Sequence, residues 1–196
     1  GYLTDGQRFQ NLLRNRPEAQ PELRILEAYS AFASGKRPAD LDADAFLPPE
    51  NMPENSPILP ELHALRAEIL LDQGQVEAAA PHMQARHDLL KQVAVAFRGS
   101  VLTDLAWYAA FHRGDPASAD AYLELYRHNP MMPRFGHALA QAASAFAKGD
   151  LSNAESLLST AQSALEDIPE SGLRALATDR VAALQSQIAP PHAPSL

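Results

Sequence analysis

A glycine recurring inside helix-forming sequence restricts this chain more than any other feature. Gly74, Gly114 and Gly149 each separate two stretches whose apolar residues fall at helical spacing. Each is followed five residues later by an alanine (Ala79, Ala119, Ala154) and preceded seven residues earlier by a core-type residue (Ala67, Trp107, Ala142). A bulkier residue stands nine positions after each glycine: Met83, Leu123 and Leu158. Glycine past a helix end adopts the left-handed conformation without a Cβ clash. Asp115 and Asp150, directly after two of these glycines, can accept backbone N–H groups of the helix that follows. The alanine lets that second helix lie close to the first. Such a pair cannot hide its apolar stripe alone, so successive pairs stack. Gly35, 39 residues before Gly74, marks a degenerate earlier unit whose following segment is too proline-rich to copy the pattern.

The residues between the glycines fit helix throughout. Ala and Leu dominate, Val, Ile and Thr are few, and no stretch alternates apolar and polar residues long enough for a sheet. The expected fold is all-α. A helical stretch is expected after Pro17 and Pro21, ending at Gly35, with further helices over Glu61–Gln73, Val76–Gln92, Ser100–Arg113, Pro116–His128 and Arg134–Lys148, from Asp150 to Ile168, and from Pro169 to Ile188. Six prolines between Lys36 and Pro60 make that segment a long connection with one helical turn near Ala39–Phe46. The expected organisation is an amino-terminal helical segment at 1–35, a Pro-rich connection at 36–60, helical repeats with a capping helix at 61–188, and a disordered tail at 189–196.

Charge and composition remove several classes of function. With 16 Lys and Arg against 24 Asp and Glu, the formal net charge is −8, which disfavours nucleic acid as a partner. The absence of cysteine removes disulfides, thiolate nucleophiles and cysteine zinc sites. No apolar run is long enough to span a membrane, and no signal segment follows Gly1. No HExxH, GxSxG, GxxxxGK[ST] or GxGxxG motif occurs. His82 and His87 lie five apart, on different faces of a helix, so they read as partly exposed helix residues rather than a metal pair. Ser100 reads as a helix N-cap. Asp40, Asp42 and Asp44 alternate like the start of a calcium loop, but Ala45 and Asn51 stand where such a loop needs Gly and Glu.

The Gly-x4-Ala pattern over residues 60–168 resembles the tetratricopeptide repeat, a helix–turn–helix unit of about 34 residues. Trp107 stands where that family favours a large residue, and Pro130 approximates its late proline. The resemblance implies a tetratricopeptide-like α-solenoid of antiparallel helix hairpins. The alternative is an irregular helical bundle with glycine-capped turns. In the family, the inner face comes from the first helix of each pair. Carried onto this chain, that face includes Leu65, Glu68 and Asp72, then Asp104, Leu105, Tyr108, Phe111 and His112, then Leu139, Ala143 and Phe146. The resemblance therefore implies peptide binding by Leu65, Glu68, Asp104, Leu105, Tyr108, Phe111, Leu139 and Phe146. The surface is apolar with an acidic margin, which suits an apolar or basic peptide. The same faces would equally serve to pack against another domain of the same protein.

The first fourteen residues, Gly1-Tyr2-Leu3-Thr4-Asp5-Gly6-Gln7-Arg8-Phe9-Gln10-Asn11-Leu12-Leu13-Arg14, read physically as a helix start, capped by Thr4 or Asp5 ahead of Phe9, Leu12 and Leu13. Asp5-Gly6 and the Arg- and Leu-rich stretch after it also resemble the end of the membrane domain of site-2 protease-like (M50) zinc metalloproteases. That resemblance implies that Asp5 is a zinc ligand, provided the HExxH helix lies upstream, and that this chain is a soluble carboxy-terminal part. No cofactor is expected in the chain itself; zinc belongs to such a parent.

Together these readings predict a non-catalytic protein-interaction scaffold of helical repeats. It would be either the carboxy-terminal region of a membrane-bound M50-type metallopeptidase or a stand-alone tetratricopeptide-repeat adaptor unrelated to proteolysis. Its expected partner is a protein or peptide, or the membrane domain of the same protein. Its expected location is cytoplasmic, tethered to the membrane in the metallopeptidase case.

Overall fold

The computed structural model describes Arg14, residues 19–126 and residues 134–189. Asp5, the remainder of the amino-terminal motif and the tail from residue 190 lie outside the described residues. Among those described, the regular elements are helical and no strand occurs. The α-helices are α1 (Ala19–Ala33), α2 (Leu59–Asp72), α3 (Val76–Asp88), α4 (Val95–Trp107), α5 (Pro116–Leu125), α6 (Arg134–Ala147), α7 (Leu151–Ser163) and α8 (Ser171–Ile188). None of these is long and apolar enough to cross a membrane.

The recurring glycines end helices in the expected way. Gly74, Gly114 and Gly149 have φ of +74°, +61° and +80°. Ala79, Ala119 and Ala154 are all completely buried, at 0% exposure. Asp115 accepts the Ser118 N–H at 3.0 Å and Asp150 that of Asn153 at 3.3 Å, so both cap the helices that follow. Around Gly74, α2 and α3 pack on one another, as do α6 and α7 around Gly149.

The stretch ahead of Gly114 departs from expectation. Its helix begins at Val95 rather than Ser100, so Gly99 and Ser100 lie inside α4 and Ser100 is not its N-cap. After Trp107 the helix widens into one π turn, Tyr108–His112, before Gly114. Helix α5 packs against this turn and against α6. The apolar pattern fixed a helix here, but a single widened turn leaves no separate mark in sequence.

Two compact units divide the chain: Gly1–Val101 with Pro169–Leu173, and Leu102–Ile168 with Arg174–Leu196. In the first, Phe32, Leu62, Leu65 and Ile69 form the centre of an apolar core. The Pro-rich segment belongs to that core rather than hanging from it. It folds into two 3-10 turns, Pro38–Asp40 and Ala43–Phe46, and buries Phe46 and Ile58. Burying two such side chains stabilises by about 2 kcal/mol each. The Asp72 carboxylate fastens it further, accepting Arg37 Nη2 at 2.6 Å and the Ala39 N–H at 2.8 Å. In the second unit Leu105, Trp107, Leu139, Ala142, Leu158 and Leu184 are buried.

Candidate functional site

Helices α5, α6 and α7 enclose an open cleft of about 410 Å³ in the second unit. Asp120, Leu123 and Glu124 line it from α5, spaced i, i+3, i+4 so that they share one helix face. Gln141, Ser144 and Ala145 repeat that spacing on α6, and Asn153 and Leu157 lie i, i+4 on α7. The turn between α6 and α7 adds Lys148 and the helix cap Asp150. Lys148 Nζ lies 2.5 Å from Asp120 Oδ2, and Ser144 donates to Asp120 Oδ1 at 2.7 Å. These two contacts, the lysine's first, hold the Asp120 carboxyl below the usual carboxylate range. Both ends of the ion pair are nearly half exposed, so it adds little to stability. Asp120, Glu124 and Asp150 thus line the opening together with Lys148 and the apolar residues Leu123 and Leu157. The cleft offers carboxylate acceptors, one hydroxyl already donating to Asp120, and apolar contact. Among the described residues no three His, Cys, Asp or Glu side chains gather as a metal site.

The second cluster stands at the π turn. The i, i+4 pair Trp107 and Phe111 stacks with ring centroids 4.3 Å apart and planes 12° from parallel. His112 meets Phe111 edge-on at 5.1 Å. Burial, and then the Arg180 guanidinium, push the His112 imidazole down to about 4, so it is neutral at pH 7. Trp107 Nε1 and the Tyr108 hydroxyl are buried without a hydrogen-bond partner among the described residues. An unmet buried donor costs roughly 1–3 kcal/mol.

The residues expected to bind peptide fall into two groups. Leu65, Leu105 and Leu139 are 4%, 3% and 2% exposed and belong to the chain's own core. Glu68, Asp104, Tyr108, Phe111 and Phe146 are half-buried. Asp104, Tyr108 and Phe111 lie on α4 and the π turn; Phe146 lies on α6 and Glu68 on α2 of the first unit. Asp72, placed on the same inner face, turns its carboxylate, 3% exposed, to Arg37 and Ala39. None of the expected residues lines the α5–α6–α7 cleft. Its acidic edge, Asp120 and Glu124, was legible only as an i, i+4 pair on a short helix, a spacing that many solvated faces share. Asp40, Asp42 and Asp44 serve local structure. Asp40 accepts the Arg37 N–H at 2.8 Å, Asp42 that of Asp44 at 2.9 Å, and Asp44 pairs with Arg66.

No protein-family model matches the chain, and neither a curated protein nor a solved structure matches it.

Proposed function

We propose that this chain is a non-catalytic interaction scaffold built of tetratricopeptide-like helix pairs, and that the α5–α6–α7 cleft receives a short segment of a partner protein. One observation carries the reading: Asp120, Glu124 and Asp150 surround an opening that also presents Leu123 and Leu157. A segment with Lys or Arg next to a Leu- or Met-sized side chain answers both features, the cation finding carboxylates and the apolar group finding leucines. The chain's net charge of −8 favours the approach of such a cationic segment. The buried alanines and positive-φ glycines support the repeat character.

Selection of random peptides displayed on phage tests this. The unmodified chain is expected to enrich sequences pairing Lys or Arg with a large apolar residue. E124K, which reverses one charge at the edge, is expected to weaken those peptides by about tenfold. Enrichment of acidic peptides, or equal binding by E124K, would defeat the proposal.

The scaffold role is the same in a stand-alone adaptor and in the carboxy-terminal region of an M50-type metallopeptidase. The coding sequence upstream of Gly1 separates these contexts. Apolar spans with an HExxH motif favour the metallopeptidase, with Asp5 as a zinc ligand of the parent; a start codon immediately before Gly1 favours the adaptor.

A further inference from the structure

In the first unit, α2 and α3 meet through two histidines. His63 Nδ1 and His82 Nδ1 lie 2.9 Å apart, and the ring centroids are 5.2 Å apart. Arg66 Nε donates to His82 Nε2 at 2.9 Å. The same guanidinium donates from Nη1 to the Ala43 carbonyl at 2.5 Å and pairs through Nη2 with Asp44 Oδ1 at 2.9 Å. These contacts allow one proton arrangement. A guanidinium only donates, so His82 Nε2 must present a lone pair and the His82 proton must sit on Nδ1. That N–H donates to His63 Nδ1, which leaves the His63 proton on Nε2.

The relay is complete when both imidazoles are neutral. A further proton on His82 goes to Nε2 and confronts the Arg66 N–H. A further proton on His63 goes to Nδ1 and confronts the His82 N–H. Asp44, the nearby carboxylate, is already paired with Arg66 and accepts neither proton. We propose that His63, His82 and Arg66 form a proton-operated latch, which fastens α2 to α3 and to the Ala43–Phe46 turn near neutral pH and releases them on acidification.

Burial, followed by the neighbouring positive charges, lowers both imidazoles, His82 to about 4. Both folded values lie below the unfolded 6.5, so the latch contributes fully above about pH 6.5 and is lost as pH falls from there towards 4. His63 and His82 lie 19 residues apart on opposite sides of Gly74, so the turn between α2 and α3 brings them together.

Nitrogen-detected NMR of the full chain tests the arrangement at pH 7.5. The expected result is His82 protonated on Nδ1, the rarer tautomer, and His63 on Nε2. Amide protection in α2 and α3, corrected for intrinsic exchange, is expected to fall by up to about tenfold per pH unit below 6.5. H82Q keeps the contacts without titrating, because its amide oxygen accepts from Arg66 and its NH2 donates to His63. Its protection is expected to fall less steeply than that of the unmodified chain over pH 6.5–5, because only His63 still titrates in the latch. An ordinary Nε2–H tautomer at His82, titration of His82 near 6.5, or parallel loss of protection in H82Q and the unmodified chain would overturn the latch. Should H82Q fail to fold, the tautomers of the unmodified chain decide alone.

Discussion

Single side chains account for much of what holds this protein together. At Gly172 a Cβ would sit 1.8 Å from the Lys36 carbonyl oxygen and 2.8 Å from its carbon. Those are backbone atoms and cannot rotate away. G172A is expected to lower the stability of the first unit by about 3 kcal/mol, read as the shift in a urea transition followed by circular dichroism. Gly74 is the comparison: nothing lies within 4 Å of its Cβ position, and its φ of +74° is the only objection to a side chain. G74A is expected to cost about 1 kcal/mol. Equal losses in the two variants would show that the Lys36 carbonyl does not approach so closely. His112 makes a second prediction. Its folded value, about 4, lies below the unfolded 6.5, so its contribution is complete above about pH 6.5 and fades as pH falls towards 4. The fluorescence of Trp107, the chain's one tryptophan, stacked on Phe111, should report unfolding of the second unit at progressively lower urea over that range. H112Q should flatten the dependence; an unchanged slope in H112Q would assign the effect to other groups.

At the scale of elements, the glycine–aspartate junctions and the Pro-rich segment matter most. Asp150 caps α7 through the Asn153 N–H, so D150A is expected to cost about 1 kcal/mol, measured by chemical denaturation. D150N, which keeps an acceptor oxygen, should recover most of it. Pro81 sits inside α3, exposed, where it withholds one intrahelical donor. P81A is therefore expected to stabilise by about 1–3 kcal/mol, visible as a higher melting temperature; a lower one would mean that the ring's packing outweighs the lost hydrogen bond. The Pro-rich segment was expected to be a connection, and prolines do stop regular helix there. What they could not announce is that Phe46 and Ile58 dock on α1 and α2 and that Asp72 receives the Arg37 side chain. D72A is expected to loosen that segment selectively, detected as faster amide exchange over residues 38–46 while α7 is unchanged.

Across the whole molecule, local and non-local features were legible to different degrees. The all-α class followed from helix-forming composition and from glycines at regular intervals, both properties of neighbouring residues. The buried alanines after each glycine followed too, because a small residue five places past a turn faces the helix before it. The start of α4 was misjudged because Gly99-Ser100 resembles a boundary locally, yet Gly99 is buried within the helix. The inner-face leucines were assigned to a ligand because helical spacing marks an apolar face without saying what covers it. Leu65, Leu105 and Leu139 are covered by this chain itself.

Sequence alone settled the helical class and the glycine turns at Gly74, Gly114 and Gly149, since these depend on backbone freedom and side-chain shape within a few residues. Tertiary structure decided the rest: that Asp120, Lys148 and Asp150 surround one opening, and that His63 reaches His82. Those meetings depend on how helices distant in sequence come to lie against one another. That arrangement is set by the close fit of whole faces, which no single stretch of sequence encodes.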